Sequence, residues 1–338
     1  MKILLTGGTG ALGQYLSVYL ADHLDCTVYI TSRQPRQYAR PNIVAITANA
    51  MNYPELIKLL QEQHFDLCID FMIHPNVPAF AELSSQILPL VGHYIFLSSS
   101  RAYADCAELI TEDKPLLSDV YNDPAYQSSN DYSWYKGKEK HVLQQGKHSN
   151  FTIIRPCIHF ASRRLQLCTL EASVLLPSIF FSKPVVIPTE CLKKTAPWAW
   201  SGNSAPQIGA IVANLDQCRR EVFNIGWSEH LTWEQVAQLY AQLAGLSVIA
   251  VPTELLKREI YGMGPVWQLE LDRLLNRRYS CAKVLSLQGA PAPTTFKSTA
   301  EALKLELNHA SRLTREIPLD AGYLYAIERL VAKLQRRA

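Results

Sequence analysis

Tyr132 and Lys136 stand four residues apart, so a helix running through them places a phenol and an ammonium on one face. A tyrosine's ordinary pKa near 10 makes it a weak base at neutral pH. Bringing one near 7 takes about 4 kcal/mol of phenolate stabilisation. A neighbouring ammonium, a helix N-terminus and a cationic ligand ring can together supply that much. Asn130 and Asp131 both suit the cap of such a helix, although the Asp131 charge opposes the phenolate unless capping consumes it. Upstream, Ser98-Ser99-Ser100-Arg101-Ala102-Tyr103 follows an apolar run that reads as a strand. A serine at that strand end can hydrogen-bond the same oxygen whose proton the tyrosine moves. The Tyr-x3-Lys spacing is common by chance in a chain with 16 tyrosines, so its weight comes from these surroundings.

The scaffold that would position these groups begins at Met1. Lys2–Leu5 reads as a strand, Thr6-Gly7-Gly8-Thr9-Gly10 as a turn, and Ala11-Leu12-Gly13 as the start of a helix carried on by Leu16, Leu20 and Leu24. The three spaced glycines permit a tight turn, close backbone approach to a pyrophosphate, and packing of helix on strand. Gly7, Thr9, Gly10, Ala11, Leu12 and Gly13 are therefore the expected dinucleotide-contacting stretch, with the first helix amides facing the phosphates. Further strand-like runs at Thr27–Thr31, Ile43–Thr47, Leu67–Phe71, Tyr94–Leu97 and Thr152–Ile154 alternate with helical patterns at Ala11–Leu24, Pro54–Gln63, Ala79–Leu90 and Asp131–Gln145. This rhythm predicts an α/β fold: a Rossmann-type doubly wound parallel sheet with its ligand crevice at the strand C-termini.

The second half is less regular and predicts a smaller, mixed α/β substrate-binding part. Val222–Gly226 reads as a returning strand. Thr232–Gln235 and Ser298–Glu301 carry capping-box signatures, and Leu319–Arg336 reads as a helix with a basic end. The expected division is a dinucleotide-binding domain over 1–160 with a return segment at about 207–226. Residues 161–206 and 227–338 then form the substrate-binding domain.

Composition excludes several classes. The net charge of +3 is too small to point to nucleic acid or a membrane surface. No apolar run reaches spanning length, and because the chain enters a strand at once no signal peptide is expected. The nine histidines form no metal-ligand spacing, so no metal is expected. The eight cysteines lie at least 11 residues apart, which predicts no zinc or redox pair and a reducing cytoplasm as the compartment.

Cofactor preference is readable after the second strand. Ser32-Arg33-Gln34-Pro35-Arg36 offers Arg33 and Arg36 to a 2′-phosphate with no opposing carboxylate, which favours NADP over NAD as the alternative. His159 is a candidate for the cofactor's border, although a loop histidine without ligand company reads more readily as structural. Trp198, Trp200 and Trp267 are candidates to stack on a base or sugar, and Arg277-Arg278, or Arg258 with Arg273, to meet a diphosphate; packing and solvated charge are the competing readings.

Thr6–Gly13, Ser98-Ser99 with Tyr103 four beyond Ser99, Tyr132-x3-Lys136 and Arg155-Pro156 together resemble the extended short-chain dehydrogenase/reductase superfamily, which includes nucleotide-sugar epimerases, dehydratases and reductases. Val222–Gly226 and Leu231-Thr232-Trp233 extend the resemblance into the second half. Phe65–Asp70 and Gly92–Asp105 are similar to an atypical branch of NAD-dependent epimerases related to chloroplast stem-loop RNA-binding proteins. The resemblance implies Tyr132 as acid/base, Lys136 as the residue that holds the cofactor ribose and tunes the tyrosine, and Ser99 as the hydroxyl partner with Ser100 in reserve. Ser98, Phe71, Met72 and Pro156 would line the nicotinamide side. Asn49 stands where relatives place an aspartate against the adenine.

Departures from the pattern also carry information. Met72-Ile73 replaces a pair of small residues and would crowd the cofactor. Ser100 and Arg101 stand where sugar dehydratases carry an acidic pair, which argues against elimination of water. Tyr135 replaces a small residue before Lys136, and Lys140 stands where a helix glutamate is usual. The resemblance implies an NAD(P)-dependent oxidoreductase or epimerase, with a ketoreductase slightly preferred. It would act on a nucleotide sugar or related small molecule, and the resemblance offers Ala79–Leu90 and Asp131–Gln145 as a candidate homodimer interface. The rival reading is a non-catalytic nucleotide- or RNA-binding protein on the same fold.

Overall fold

The computed structural model describes residues 1–262, 264–312 and 319–336. The first half supplies β1 (Lys2–Thr6), β2 (Thr27–Ser32), β3 (Ile43–Thr47), β4 (Phe65–Asp70), β5 (Val91–Leu97) and β6 (Phe151–Pro156). Between them run α1 (Ala11–His23), α2 (Tyr53–Glu62) and α3 (Val77–Ile87), then the short α4 (Leu117–Val120) and α5 (Pro124–Ser128), and α6 (Tyr132–Gln145). Asn76 caps α3 by accepting from the Ala79 amide at 2.9 Å, so this helix starts two residues before the expected position and ends in a 3-10 turn over Leu88–Leu90.

The second half is built from small pieces. β7 (Ile158–Phe160) pairs with β11 (Trp198–Trp200), β8 (Gln166–Leu167) with β9 (Leu170–Glu171), and β10 (Val185–Pro188) with β13 (Val248–Val251). Among them lie α7 (Ala172–Phe180), α8 (Ser201–Ala213), β12 (Val222–Ile225), α9 (Trp233–Ala244), α10 (Thr253–Leu256), α11 (Ala282–Leu285), α12 (Thr299–Ala310) and α13 (Ala321–Gln335). Both expected capping boxes form: Thr232 accepts from the Gln235 amide at 3.2 Å while Gln235 accepts from the Thr232 amide at 2.8 Å, and Ser298 with Glu301 does the same at 3.3 and 3.0 Å. Two stretches, Lys257–Tyr261 and Leu269–Arg273, wind as π-helix.

β12 returns to the first half and closes a seven-stranded, all-parallel sheet in the order β12-β6-β5-β4-β1-β2-β3. Side chains alternate across it: Ile3 and Leu5 of β1 pack with α1 and α8, whereas Leu4 packs with α2 and α3. The strand order reverses between β1 and β4, and the ligand crevice of a doubly wound sheet opens at that point, beyond the strand C-termini. A separate apolar cluster around Trp198, Trp233, Tyr240, Leu303 and Leu330 holds the second half together.

Candidate active site

The glycine turn has the geometry that its spacing predicts. Gly7 adopts φ +68°, a left-handed conformation that a side chain would strain. The Gly10 amide donates to the Gly7 carbonyl at 3.2 Å, and Gly10 caps α1. A Cβ on Gly13 would lie 2.4 Å from the Gly8 carbonyl oxygen, so only glycine lets α1 sit this close to the turn. A Cβ on Gly10 would meet nothing nearer than 3.6 Å, and no acidic residue stands in the first turn of α1. These residues fit a dinucleotide diphosphate: an open cradle of amides at the positive end of a helix. Ala11 opens α1, Leu12 reaches the crevice, and Thr9 faces a second cavity beside α1. Arg33 and Arg36 are both exposed, and Arg36 Nε donates to Ser32 Oγ at 3.1 Å.

At the C-terminal ends of the central strands lies a cavity of about 270 Å³ that brings together Ser99, Ser100, Tyr132, Phe71, Ile73 and Pro156. Asp131 caps α6 by accepting from the Ser133 amide at 2.8 Å and from the Ser133 hydroxyl, so capping engages the charge that would otherwise oppose a phenolate. Ser99 Oγ accepts from the Arg101 amide at 3.1 Å and fixes the 3-10 turn Ser100–Ala102. Ser98 does not reach the cavity; its hydroxyl is buried and donates to the Lys136 carbonyl at 3.1 Å.

Lys136 lies underneath this floor. Its ammonium sits 3.0 Å from Glu139 Oε2, 4.5 Å from the centroid of the Phe96 ring and 5.9 Å from that of Tyr132, with both members of the ion pair buried. Burial raises the Glu139 carboxyl above its ordinary value, and the Lys136 ammonium opposes that rise. The buried helix carboxylate is thus Glu139, one position before Lys140. Deeper still, Asp70 accepts from the Thr6 hydroxyl at 2.6 Å, the Tyr94 hydroxyl at 2.6 Å and His74 Nε2 at 3.0 Å. Burial alone would raise the Asp70 carboxyl, but the His74 ring and these hydrogen bonds outweigh it and hold it well below the usual carboxylate range.

The other side of Tyr132 is arginine-rich. The Arg101 guanidinium lies 5.5 Å from the Tyr132 ring centroid, 3.4 Å from Asp131 Oδ1 and 3.8 Å from Asp272 Oδ2. Asp272, itself buried, also contacts Arg273 and lies 3.1 Å from Arg277 Nε. The π-helical turn over Leu269–Arg273 sends two successive side chains, Asp272 and Arg273, inward together. Arg273 lines the cavity and donates from Nε to the Cys168 carbonyl at 2.9 Å; burial, then Arg101, lowers its guanidinium to about 10. Arg277 donates to the carbonyls of Tyr103, Ala104 and Leu271. Arg164, Gln166 and Glu171 complete this wall, and Gln166 Oε1 is buried with no hydrogen-bond partner among the described residues.

Other sequence candidates fall elsewhere. Asn49 Oδ1 turns back to accept from the Met51 amide at 3.2 Å. Met72 packs its sulfur against the Gly7 turn, while the exposed Ile73 borders the cavity. His159 borders it too, held by Ser204 at 2.6 Å, and burial lowers it to about 4. Trp198 and Trp200 are core residues, and Trp267 packs edge-on against Tyr126. Arg258 pairs with Glu259, and Arg278 reaches the Ala107 carbonyl. The spacing argument against cysteine pairs is corrected: a hairpin tip and a 3-10 turn bring Cys168 and Cys191 together, with their sulfurs 3.3 Å apart as buried free thiols. Among the described residues no group of three or more potential metal ligands occurs, and no helix is long and apolar enough to cross a membrane.

Sequence reasoning missed Glu139, Asp272 and Gln166. Only Glu139 left a local trace, three residues after Lys136 on the same helix face.

Solved structures share this architecture at low sequence identity. The UDP-glucuronic acid 4-epimerase of Bacillus cereus, in complex with UDP-glucuronic acid and NAD, superposes with a TM-score of 0.67 at 17% identity, covering 93% of this chain and 100% of that one. The UDP-Glc/GlcNAc 4-epimerase of Campylobacter jejuni gives 0.67 at 14% identity, covering 92% and 99%. The human epimerase family protein SDR39U1, with NADPH, gives 0.61 at 14% identity, covering 91% and 99%. No curated protein matches the chain significantly by sequence. The NAD dependent epimerase/dehydratase family matches residues 3–175, just over half of the chain and the stretch that carries the glycine turn, Ser99, Tyr132 and Lys136; the protein belongs to that family.

Proposed function

We propose that the protein is an NAD(P)-dependent oxidoreductase that works at a carbinol or carbonyl carbon of a nucleotide-activated sugar or a related small molecule. The observation that carries this reading is the meeting of Ser99 and Tyr132 in one cavity that Leu12, from the first turn of α1, also lines. A nicotinamide ring bound beside that cavity would supply or accept the hydride. Tyr132 moves the proton of the reacting oxygen, and Ser99 hydrogen-bonds that oxygen. Lys136 acts from below as a fixed positive charge, and it would reach a cofactor ribose only by leaving Glu139. Arg33 and Arg36 favour NADP, and with it net reduction over epimerisation. Residues 1–160 with 207–226 serve the cofactor, and 161–206 with 227–338 serve the substrate. A homodimer in the cytoplasm is part of the same reading.

The test incubates the protein with UDP-sugars, UDP-4-keto-sugars and each nicotinamide cofactor, following both cofactor absorbance and product stereochemistry. Stoichiometric NADPH oxidation supports a reductase. An inverted carbinol without net cofactor turnover would move the assignment to an epimerase. Tighter binding of NADH than of NADPH, with a ratio that Arg33→Ala does not change, would overturn the NADP preference.

A further inference from the structure

Behind the arginine side of the crevice two thiols meet. Cys168 sits at the tip of the hairpin between β8 and β9, in a left-handed conformation at φ +53°. Cys191 ends the 3-10 turn Thr189–Cys191 that follows β10. Their sulfurs are 3.3 Å apart, and both thiols are buried and free. The same hairpin carries part of the cavity wall, because Gln166 and Glu171 flank its tip. Arg273, which lines that cavity too, donates from Nε to the Cys168 carbonyl at 2.9 Å. We propose that Cys168 and Cys191 form a peroxide-responsive dithiol, and that its oxidation to a disulfide shifts this wall. Such a switch works whichever reaction the crevice catalyses.

A disulfide holds its sulfurs about 2.05 Å apart, so roughly 1.2 Å of closure is needed, a small movement for a hairpin tip. The two thiols are unequal. Burial opposes ionisation of Cys168, but the Cys191 thiol and then the Arg273 guanidinium outweigh it and lower the Cys168 value. Cys191 is raised by the same hydrogen bond and by burial. Cys168 is therefore the nucleophile and Cys191 the resolving thiol. Arg273 touches both the cavity and Cys168, so an oxidant as small as hydrogen peroxide has a short path inward. The Cys168 thiolate attacks one peroxide oxygen, the O–O bond breaks, and the leaving oxygen takes up a proton and departs as water. The Cys191 sulfur then attacks the resulting sulfenic acid, forming the S–S bond, breaking the S–O bond and releasing a second water. Two thiols thus lose two electrons and two protons to one peroxide, and a dithiol reductant reverses the change. The closing sulfurs draw the tip towards the 3-10 turn and disturb the Arg273 contact.

The experiment treats the reduced, full-length protein with hydrogen peroxide and maps its peptides by mass spectrometry, with the half-buried Cys106 as internal control. The expected product links the Cys168 and Cys191 peptides and is reversed by dithiothreitol. Cys191→Ser should trap a sulfenic acid on Cys168, read as a dimedone adduct, whereas Cys168→Ser should leave Cys191 a thiol. Hydrogen exchange then reads the consequence for the wall: oxidation should slow amides within 166–171 by about 3-fold or more and change the rates over 269–273. If both thiols stay free after Cys106 has reacted fully, burial excludes the oxidant and the proposal falls. A sulfenic acid on Cys191 in Cys168→Ser, with none on Cys168 in Cys191→Ser, overturns the assigned roles. A disulfide that forms while exchange over 166–171 and 269–273 stays unchanged is a staple only, and overturns the link to the cavity.

Discussion

The two sides of the Tyr132 ring are built on opposite charge plans. Beneath it, charges are matched and dry: Lys136 with Glu139, and Asp70 with His74, Thr6 and Tyr94, all buried in the sheet-facing layer. Above it, three guanidiniums, Arg101, Arg273 and Arg277, share the single buried carboxylate of Asp272, with Asp131 and Glu171 at the margins. Taking charge out of water is costly unless it is paired, and the lower side meets that cost with one buried ion pair, whereas the upper side spreads its charges over a network that borders the cavity. The first is a scaffold that fixes where the phenol points. The second opens to the cavity through Arg101 and Arg273.

Substitutions can break this contrast. The largest effect is expected at the ring itself: Tyr132→Phe should lower kcat by up to about 10⁴-fold while cofactor affinity holds, because it removes a proton carrier and leaves the packing. Turnover close to wild type in that variant would remove the catalytic role from both sides. Next, Glu139→Ala leaves an unpaired buried ammonium and should cost about 3–5 kcal/mol in urea unfolding, whereas Lys136→Met with Glu139→Leu should be close to neutral for stability. A single mutant as stable as the wild type would show that the lower layer is wetter than its burial indicates.

Acid sharpens the contrast further. Burial lowers His93 and His159 from 6.5 to about 4, so both stay neutral in the folded state where the unfolded chain is already protonated. Their contribution is fully present above pH 6.5 and is lost as pH falls towards 4, on the order of 3 kcal/mol for each ring at the low end. Unfolding curves measured across that window should show the loss, and His93→Gln should flatten part of it. The smallest effect belongs to the upper side. Arg101→Ala should weaken an anionic substrate by about 10-fold, read in KM, with little change in melting temperature. An unchanged KM together with a large fall in stability would make Arg101 a structural brace.

The lower side was far more legible in the sequence than the upper. The glycine turn, the alternating β1 residues and the Tyr132–Lys136 spacing are local signals, read over a dozen residues or fewer. Glu139 is local too, but the resemblance directed attention to position 140. The arginine wall joins Arg101 of a loop after β5 to Asp272 and Arg273, some 170 residues later, through a π-helical turn that no periodicity announces. The Cys168–Cys191 contact likewise depends on where a hairpin tip lands, with Cys168 at φ +53°. Long-range meetings of irregular segments leave little mark on either segment alone.

The return of β12 to the edge of the sheet has a consequence for how the polypeptide is made. β6 lacks its outer neighbour, and α1 lacks the covering of α8, until residues 201–225 have left the ribosome. The nascent first half therefore carries an open sheet edge and a bare apolar helix face through that interval, the two features that most invite mispairing between chains. A truncation after β6 should be prone to aggregate for the same reason, however complete its glycine turn.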